Sequence, residues 1–226
     1  MLDRVGGDKP PAFRGAQAWL ADSAEVSPAA ADLIERARNT AAGPLYVVAI
    51  GAITNIAVAL QAAPDIAGNI VVAWLGGHDG NWGSVEFNLR GDIPAAQVVF
   101  DSGVPLVVVS CLGVADHLTT TRAEIDRYVR PCGPLGAFLA ERYEEYVADV
   151  PGRAKVIWDI APNSWVLNPA WVRTKLVPAP LISDTGAQIH DPSRHLIAWT
   201  YWLDRDAIFG DLFAKLAAHA DPAGPA

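Results

Sequence analysis

Hydrogen-bonding side chains crowd the stretch Gly76-Gly-His-Asp-Gly-Asn-Trp-Gly-Ser-Val-Glu-Phe-Asn88. Its four glycines let backbone come close to a ligand, and His78, Asp79, Asn81, Glu86 and Asn88 supply donors and acceptors suited to a polyhydroxylated molecule such as a sugar. A solvated polar loop is the plainer reading of the same residues. Thr54-Asn55 opens a helix directly after a strand, where an ordinary N-cap would also account for it. Trp158-Asp159 stands at a strand end, and a core tryptophan followed by a capping aspartate fits it equally. His78 with Asp79 could act as acid and base in some other chemistry, although a lone histidine in a glycine loop is more often simply hydrogen-bonded. Asp3 and Asp8 lie five residues apart with no strand before them, which reads as a solvated turn. Cys111 and Cys132 form no CxxC motif and no Cys/His cluster, so neither zinc nor a disulfide framework is indicated.

Bringing these residues together requires strands that deliver them to one rim. Ser27-Pro28 has the N-cap and N1 residues of a helix, with Leu33, Ile34 and Ala37 on one face through about Arg38. Pro44–Ile50, Asn69–Leu75 and Val104–Ser110 are short, continuous apolar runs of the kind buried on both faces of a parallel sheet. Thr54 to about Ala63 predicts a helix closed by Pro64. Gly76–Gly91 predicts a long polar loop, and Asp92 caps a helix to about Asp101. Further on, helices are predicted over Arg122–Arg130, Leu135–Val150, Ile160–Leu167 and Ala207–Ala218, with a brief strand Val156–Trp158 and strand-like patches over 176–202. Residues 1–24 read as a surface lead-in and 219–226 as a disordered tail. Alternating strand and helix with apolar strands makes this an α/β chain with an open, mostly parallel sheet flanked by helices. Strand ends at Ile50, Leu75, Ser110 and Trp158 would then set Gly51–Asn55, Gly76–Asn88, Cys111–His117 and Asp159 on one rim, where ligands of such sheets sit.

The 226 residues and 24.0 kDa are read as a single domain, residues 1–226. Hydrophobic residues make up 51% and charged ones 19%, which is wrong for disorder. Lys and Arg number 17 against 25 Asp and Glu, a formal charge of −8, so neither nucleic acid nor an anionic membrane is an expected partner. The longest apolar run, Pro44–Ala63, is broken by Gly51, Thr54, Asn55 and Gln61 and cannot form a spanning helix. No apolar secretory segment opens the sequence, so a cytoplasmic protein is expected.

Three blocks in order, Ala49–Leu60, Gly80–Asn88 with Asp92-Ile-Pro-Ala-Ala96, and Ile157-Trp-Asp159, resemble successive signatures of the nucleoside hydrolases. Pro10–Ala16 resembles the segment that precedes that family's middle helices. The resemblance implies hydrolysis of the N-glycosidic bond of ribonucleosides, with Ca²⁺ as cofactor and a small-molecule nucleoside as partner. It assigns the Thr54 carbonyl and the Asp159 carboxylate to the metal, and Asn81, Glu86 and Asn88 to the ribose hydroxyls. Trp158 stands where many members carry a histidine, which resembles the purine-preferring branch in which indole stacks on the base. The loop between Asn81 and Glu86 is one residue shorter than the family form. The family's opening strand and aspartate-rich signature, source of further metal carboxylates and the general base, have no counterpart here. The chain is therefore expected to be an N-terminally truncated member lacking the first strand-helix units, with no catalytic base of its own, an incomplete calcium site and impaired activity. A non-catalytic remnant that binds a nucleoside, a partner chain or nothing is the alternative, and self-association is left open.

Overall fold

A computed structural model describes residues 9–78, 85–148 and 150–220. In chain order its elements are α1 (Pro28–Arg38), β1 (Leu45–Ala49), α2 (Thr54–Ala62), β2 (Ile70–Leu75), α3 (Phe87–Gly91), α4 (Ile93–Asp101) and β3 (Leu106–Val109). There follow β4 (Thr119–Thr120), α5 (Arg122–Glu124) continuing into a π-helical turn (Ile125–Val129), α6 (Gly133–Val147), β5 (Lys155–Val156) and α7 (Ile160–Leu167). Last come β6 (Val172–Pro178), β7 (Leu181–Ile182), β8 (Gln188–Ile189), β9 (Leu196–Leu203) and α8 (Arg205–Ala220). The chain divides into two compact units, one comprising Ala12–Ala115 with Trp158–Leu203, the other Met1–Pro11, Asp116–Ile157 and Asp204–Ala226.

The first unit is built on a five-stranded sheet in the order β1-β2-β3-β9-β6, parallel except where β6 runs antiparallel to β9. The apolar runs behave as their composition demands: every residue of β3 is buried, and in β2 Ile70, Val72 and Trp74 are fully so. Trp74 meets Phe100 edge-on at 6.1 Å, and Phe100 stacks on Trp199 at 6.3 Å, joining strands to α4 across the core. The open, mostly parallel α/β sheet expected from the strand pattern is present.

Helix starts follow their caps. Ser27 Oγ accepts the Ala30 amide at 3.2 Å, and Asp92 Oδ1 accepts the Ala95 amide at 3.2 Å. Both cap residues also reach far along the chain. Asp92 Oδ2 accepts the Leu20 amide at 2.9 Å and the Thr54 hydroxyl at 2.5 Å, while Asn55 Oδ1 accepts the Ala16 amide at 2.8 Å and the Ser27 hydroxyl at 2.9 Å. With the Arg14 carbonyl also accepting the Ala29 amide at 3.0 Å, the lead-in is fastened through its backbone at three points.

Several expectations are corrected. The stretch Gly76–Gly91 is not loop throughout, since Glu86 starts the short helix α3. The strand expected at Val156–Trp158 is Lys155–Val156, which pairs antiparallel with β4 in a separate ribbon because only two residues there lie extended beside a partner. The helix from Arg122 takes π geometry after one turn. The terminal helix runs to Ala220, so the first two residues of the expected tail are helical, and 221–226 lie outside the described residues.

In the second unit, Ile125, Val129, Ala140, Tyr143 and Val147 form the core, and Tyr128 stacks on Phe213 at 5.0 Å. The Arg205 guanidinium donates to the Thr119 carbonyl (Nη2, 2.8 Å) and to Glu124 Oε1 at 2.6 Å. Glu124 also closes a capping box with Thr121. Partial burial opposes ionisation of Glu124, but Arg205, the Thr121 amide and the Thr120 hydroxyl outweigh it and hold its carboxyl below the usual range.

Two outcomes are expected. Asp92→Ala leaves two amides and a buried hydroxyl without their acceptor and costs about 3 kcal/mol or more in urea unfolding, whereas Thr54→Val, which removes one donor, costs about 1 kcal/mol. A carboxyl with a depressed folded pKa lends stability above its unfolded titration and loses it as pH falls through the folded value. The stability gap between the wild type and Glu124→Gln should therefore be widest near neutrality and narrow through the carboxylate range, as read from unfolding curves at stepped pH.

Candidate active site

A cavity of about 620 Å³ opens in the first unit beyond the carboxyl ends of β1, β2 and β3. Its walls include His78, Glu86, Asn88, Cys111, Trp158 and Asp159. Its size is that of a small-molecule site, about 300–1,000 Å³.

The wall is set at the end of β2. A Cβ on Gly76 would stand 2.5 Å from the Trp74 ring, so only glycine lets the backbone pass over that indole, whose Nε1 is donated to the Gly51 carbonyl at 2.9 Å. Gly77 follows with φ +71°, a conformation that side chains resist. The turn presents the Gly77 amide to Glu86 Oε2 at 3.2 Å.

Glu86 is only 4% exposed and acts as the N-cap of α3. Oε1 accepts the Asn88 amide at 2.9 Å and the Cys111 thiol at 3.1 Å, and Oε2 accepts the Gly77 and Leu89 amides, the latter at 2.8 Å. Four donors meet the roughly four lone-pair sites of a carboxylate. Glu86 thus holds the wall of the cavity together while lending it negative charge. Asn88, half-buried, donates Nδ2 to the Leu75 carbonyl at 2.8 Å, which fixes the orientation of its amide. Cys111, buried, returns its own amide to the Gly77 carbonyl at 3.1 Å. His78 is 7% exposed, and Nδ1 accepts the Leu112 amide at 3.4 Å, so a neutral ring carries its proton on Nε2.

Trp158 is half-buried and Asp159 exposed at the start of α7. The Asp159 side chain makes no capping bond to that helix, so the helix-cap role is not the one it plays; its carbonyl accepts Asn163 Nδ2 at 3.0 Å. No main-sheet strand ends at Trp158, yet the pair still lines the cavity, because α7 packs against β1 and β2.

Four sequence-predicted residues, Glu86, Asn88, Trp158 and Asp159, therefore meet in one place. Thr54 does not line it; buried as the first residue of α2, it turns its hydroxyl onto Asp92. Asn81 lies outside the described residues, as do Asp3, Asp8 and Asp79. Among the described residues no group of three or more His, Cys, Asp or Glu side chains is arranged to hold a metal. One carboxylate and one carbonyl fall well short of the 6–8 oxygens that Ca²⁺ takes, so the described donors do not by themselves fit that ion. Cys111, Arg90 and the 76%-exposed Phe87 also line the cavity. Cys111 was readable as a rim position following β3, but nothing in the sequence pairs it with Glu86.

Glu86→Gln should cost about 3 kcal/mol, because an amide NH₂ would face backbone donors where an acceptor now stands. Hydrogen exchange should place the loss at the amides of Gly77, Asn88 and Leu89.

The family profile described as inosine-uridine preferring nucleoside hydrolase matches residues 5–198. A Shigella boydii protein named as a pyrimidine-specific ribonucleoside hydrolase is 32% identical over 146 residues, 59% of this chain and 58% of that protein. A pyrimidine-specific ribonucleoside hydrolase of Klebsiella pneumoniae is 32% identical over 123 residues, 53% of this chain and 39% of that protein. In these matches the chain spans about half the length of its relatives or less. The solved structure of a purine-preferring ribonucleoside hydrolase from Gardnerella vaginalis superposes with a TM-score of 0.71 at 23% identity, over 88% of this chain and 68% of that one, and shares its fold. With the profile covering most of the sequence and the same α/β architecture beneath the cavity, the chain belongs to the inosine-uridine preferring nucleoside hydrolase family.

Proposed function

We propose that this chain forms the sugar- and base-facing wall of a ribonucleoside hydrolase site, which splits the N-glycosidic bond with water to give ribose and the free base. One observation carries the reading: Glu86, Asn88, Trp158 and Asp159 converge on a single cavity at the carboxyl rim of the sheet. Asn88, its amide fixed on the Leu75 carbonyl, presents the rest of that amide to ribose hydroxyls. As the glycosidic bond breaks, positive charge develops on the sugar, and the carboxylates of Glu86 and Asp159 that line the cavity stabilise it. Trp158 offers a flat face to the departing base. Indole does not protonate a leaving group as imidazolium does, so the reading favours bases large enough to stack well, and hence purines. The relatives' pyrimidine-specific names set the competing outcome. No described residue is assigned as the base that activates water.

The test is calorimetric binding and ribose release with inosine and uridine, using the full 226-residue chain. Inosine should bind more tightly, and Trp158→Ala should weaken it by roughly five- to a hundredfold, the equivalent of about 1–3 kcal/mol of base stacking. Asp159→Asn should lower ribose release more than binding. Binding without turnover would favour the non-catalytic alternative, and failure to bind either nucleoside would overturn the reading.

A further inference from the structure

Arg90 stands in the wall of the same cavity as Glu86, Trp158 and Asp159. Its place is set by α3, whose turn is closed by the Arg90 amide donating to the Glu86 carbonyl at 2.8 Å. Leu89, 1% exposed, anchors that turn in the core, and a Cβ on Gly91 would stand 3.1 Å from Ala52 Cβ. The backbone on either side of Arg90 is therefore held, while the residue itself is exposed.

Other guanidinium groups of the chain are paired: Arg36 with Asp32, Arg38 with Asp65, Arg194 with Asp101 and Arg205 with Glu124. Among the described residues Arg90 makes no ion pair, not even with Glu86 or Asp159 on the same cavity. A positive charge in the last turn of a helix is favourable in itself, and a lysine would supply it equally. What a lysine lacks is the planar fork of N–H donors, with no acceptor among them, that suits two neighbouring acceptors lying in one plane.

In a nucleoside, the ribose hydroxyls both donate and accept, and Asn88 with the two carboxylates answers them. The edge of the base remains. A 6-oxopurine presents O6 and N7 as adjacent acceptors, whereas a 6-aminopurine sets an N6 donor beside N7. Uracil interposes an N–H between its two carbonyls, so it does not fill the fork either.

We propose that Arg90 is a specificity-determining residue that grips the O6/N7 edge of the base, making 6-oxopurine ribonucleosides such as inosine and guanosine the substrate class. This rests on the nucleoside reading above and adds the choice of base to it. When the bond from C1′ to N9 breaks, its electron pair passes to the departing base, and the oxygen of water bonds to C1′. The negative charge spreads over the base to N7 and O6, where the guanidinium donors stabilise it. The proton that neutralises the base comes from the water, since Arg90 stays charged throughout.

Calorimetry of the full chain with inosine, 7-deazainosine, adenosine and uridine tests it, using wild type, Arg90→Ala and Arg90→Lys, with folding verified by circular dichroism. Wild type should bind inosine about five- to a hundredfold more tightly than adenosine, the discrimination that a bidentate contact provides. Both variants should lose that preference by weakening inosine and leaving adenosine where it was. Without its N7 acceptor, 7-deazainosine should bind wild type more weakly than inosine does, and Arg90→Ala should not distinguish the two. A role in charge alone would survive in Arg90→Lys, and a structural role would move inosine and adenosine together. Equal wild-type affinities for inosine and adenosine, a preference for uridine, or an inosine preference kept by Arg90→Lys would overturn the assignment and leave the nucleoside reading standing. If no nucleoside binds, that reading fails and the role of Arg90 falls with it.

Discussion

A single buried carboxylate sets the geometry of the rim. Glu86 gathers the Gly77 amide from the end of β2, the Asn88 and Leu89 amides from the start of α3, and the Cys111 thiol from the end of β3. Taking a carboxylate out of water is expensive, and only a full set of donors makes it tolerable. Here the donors come from three separate stretches of chain, so the condition that keeps the charge solvated also locks those stretches together. Asn88, Cys111 and the turn at Gly76–Gly77 are placed by this clamp and not by their own local preferences.

The same device appears again at Asp92. There one oxygen caps α4 while the other collects the Leu20 amide and the Thr54 hydroxyl. Both residues show a helix cap doing more than end a helix. An acidic side chain has lone pairs for both the local amide and a distant partner: Asp92 divides them between its two oxygens, while each oxygen of Glu86 accepts one of each. In this fold those remaining lone pairs tie loop to sheet and lead-in to core, beside the packing of Leu20 and Val85 against the apolar cluster.

How much of this was legible follows from the range of each interaction. β2 and β3 were readable because both faces are buried and their residues are uniformly apolar. Caps at Ser27 and Asp92 were readable because the cap and the amide it serves lie within three residues. Helix α3 was not, since five residues make too short a period to stand out from polar loop. The displacement of β5 from the main sheet depends on pairing with Thr119–Thr120, some 35 residues away, which no local pattern encodes. For the site, Glu86, Asn88, Trp158 and Asp159 came from motif resemblance and do meet, but the bonds of Cys111 with Glu86 and of the Thr54 hydroxyl with Asp92 are contacts across 25 and 38 positions.

The crossing of Gly76 over the Trp74 ring has a consequence for how this protein can change over evolutionary time. A methyl group at residue 76 would need space the indole already fills, and residue 77 holds a backbone angle that penalises any side chain. Residue 76 cannot drift while Trp74 remains, and residue 77 is held to glycine by its own backbone angle. Relatives that part from Gly76 should also have exchanged the tryptophan beneath it, so those two positions form one heritable unit, altered together or left alone.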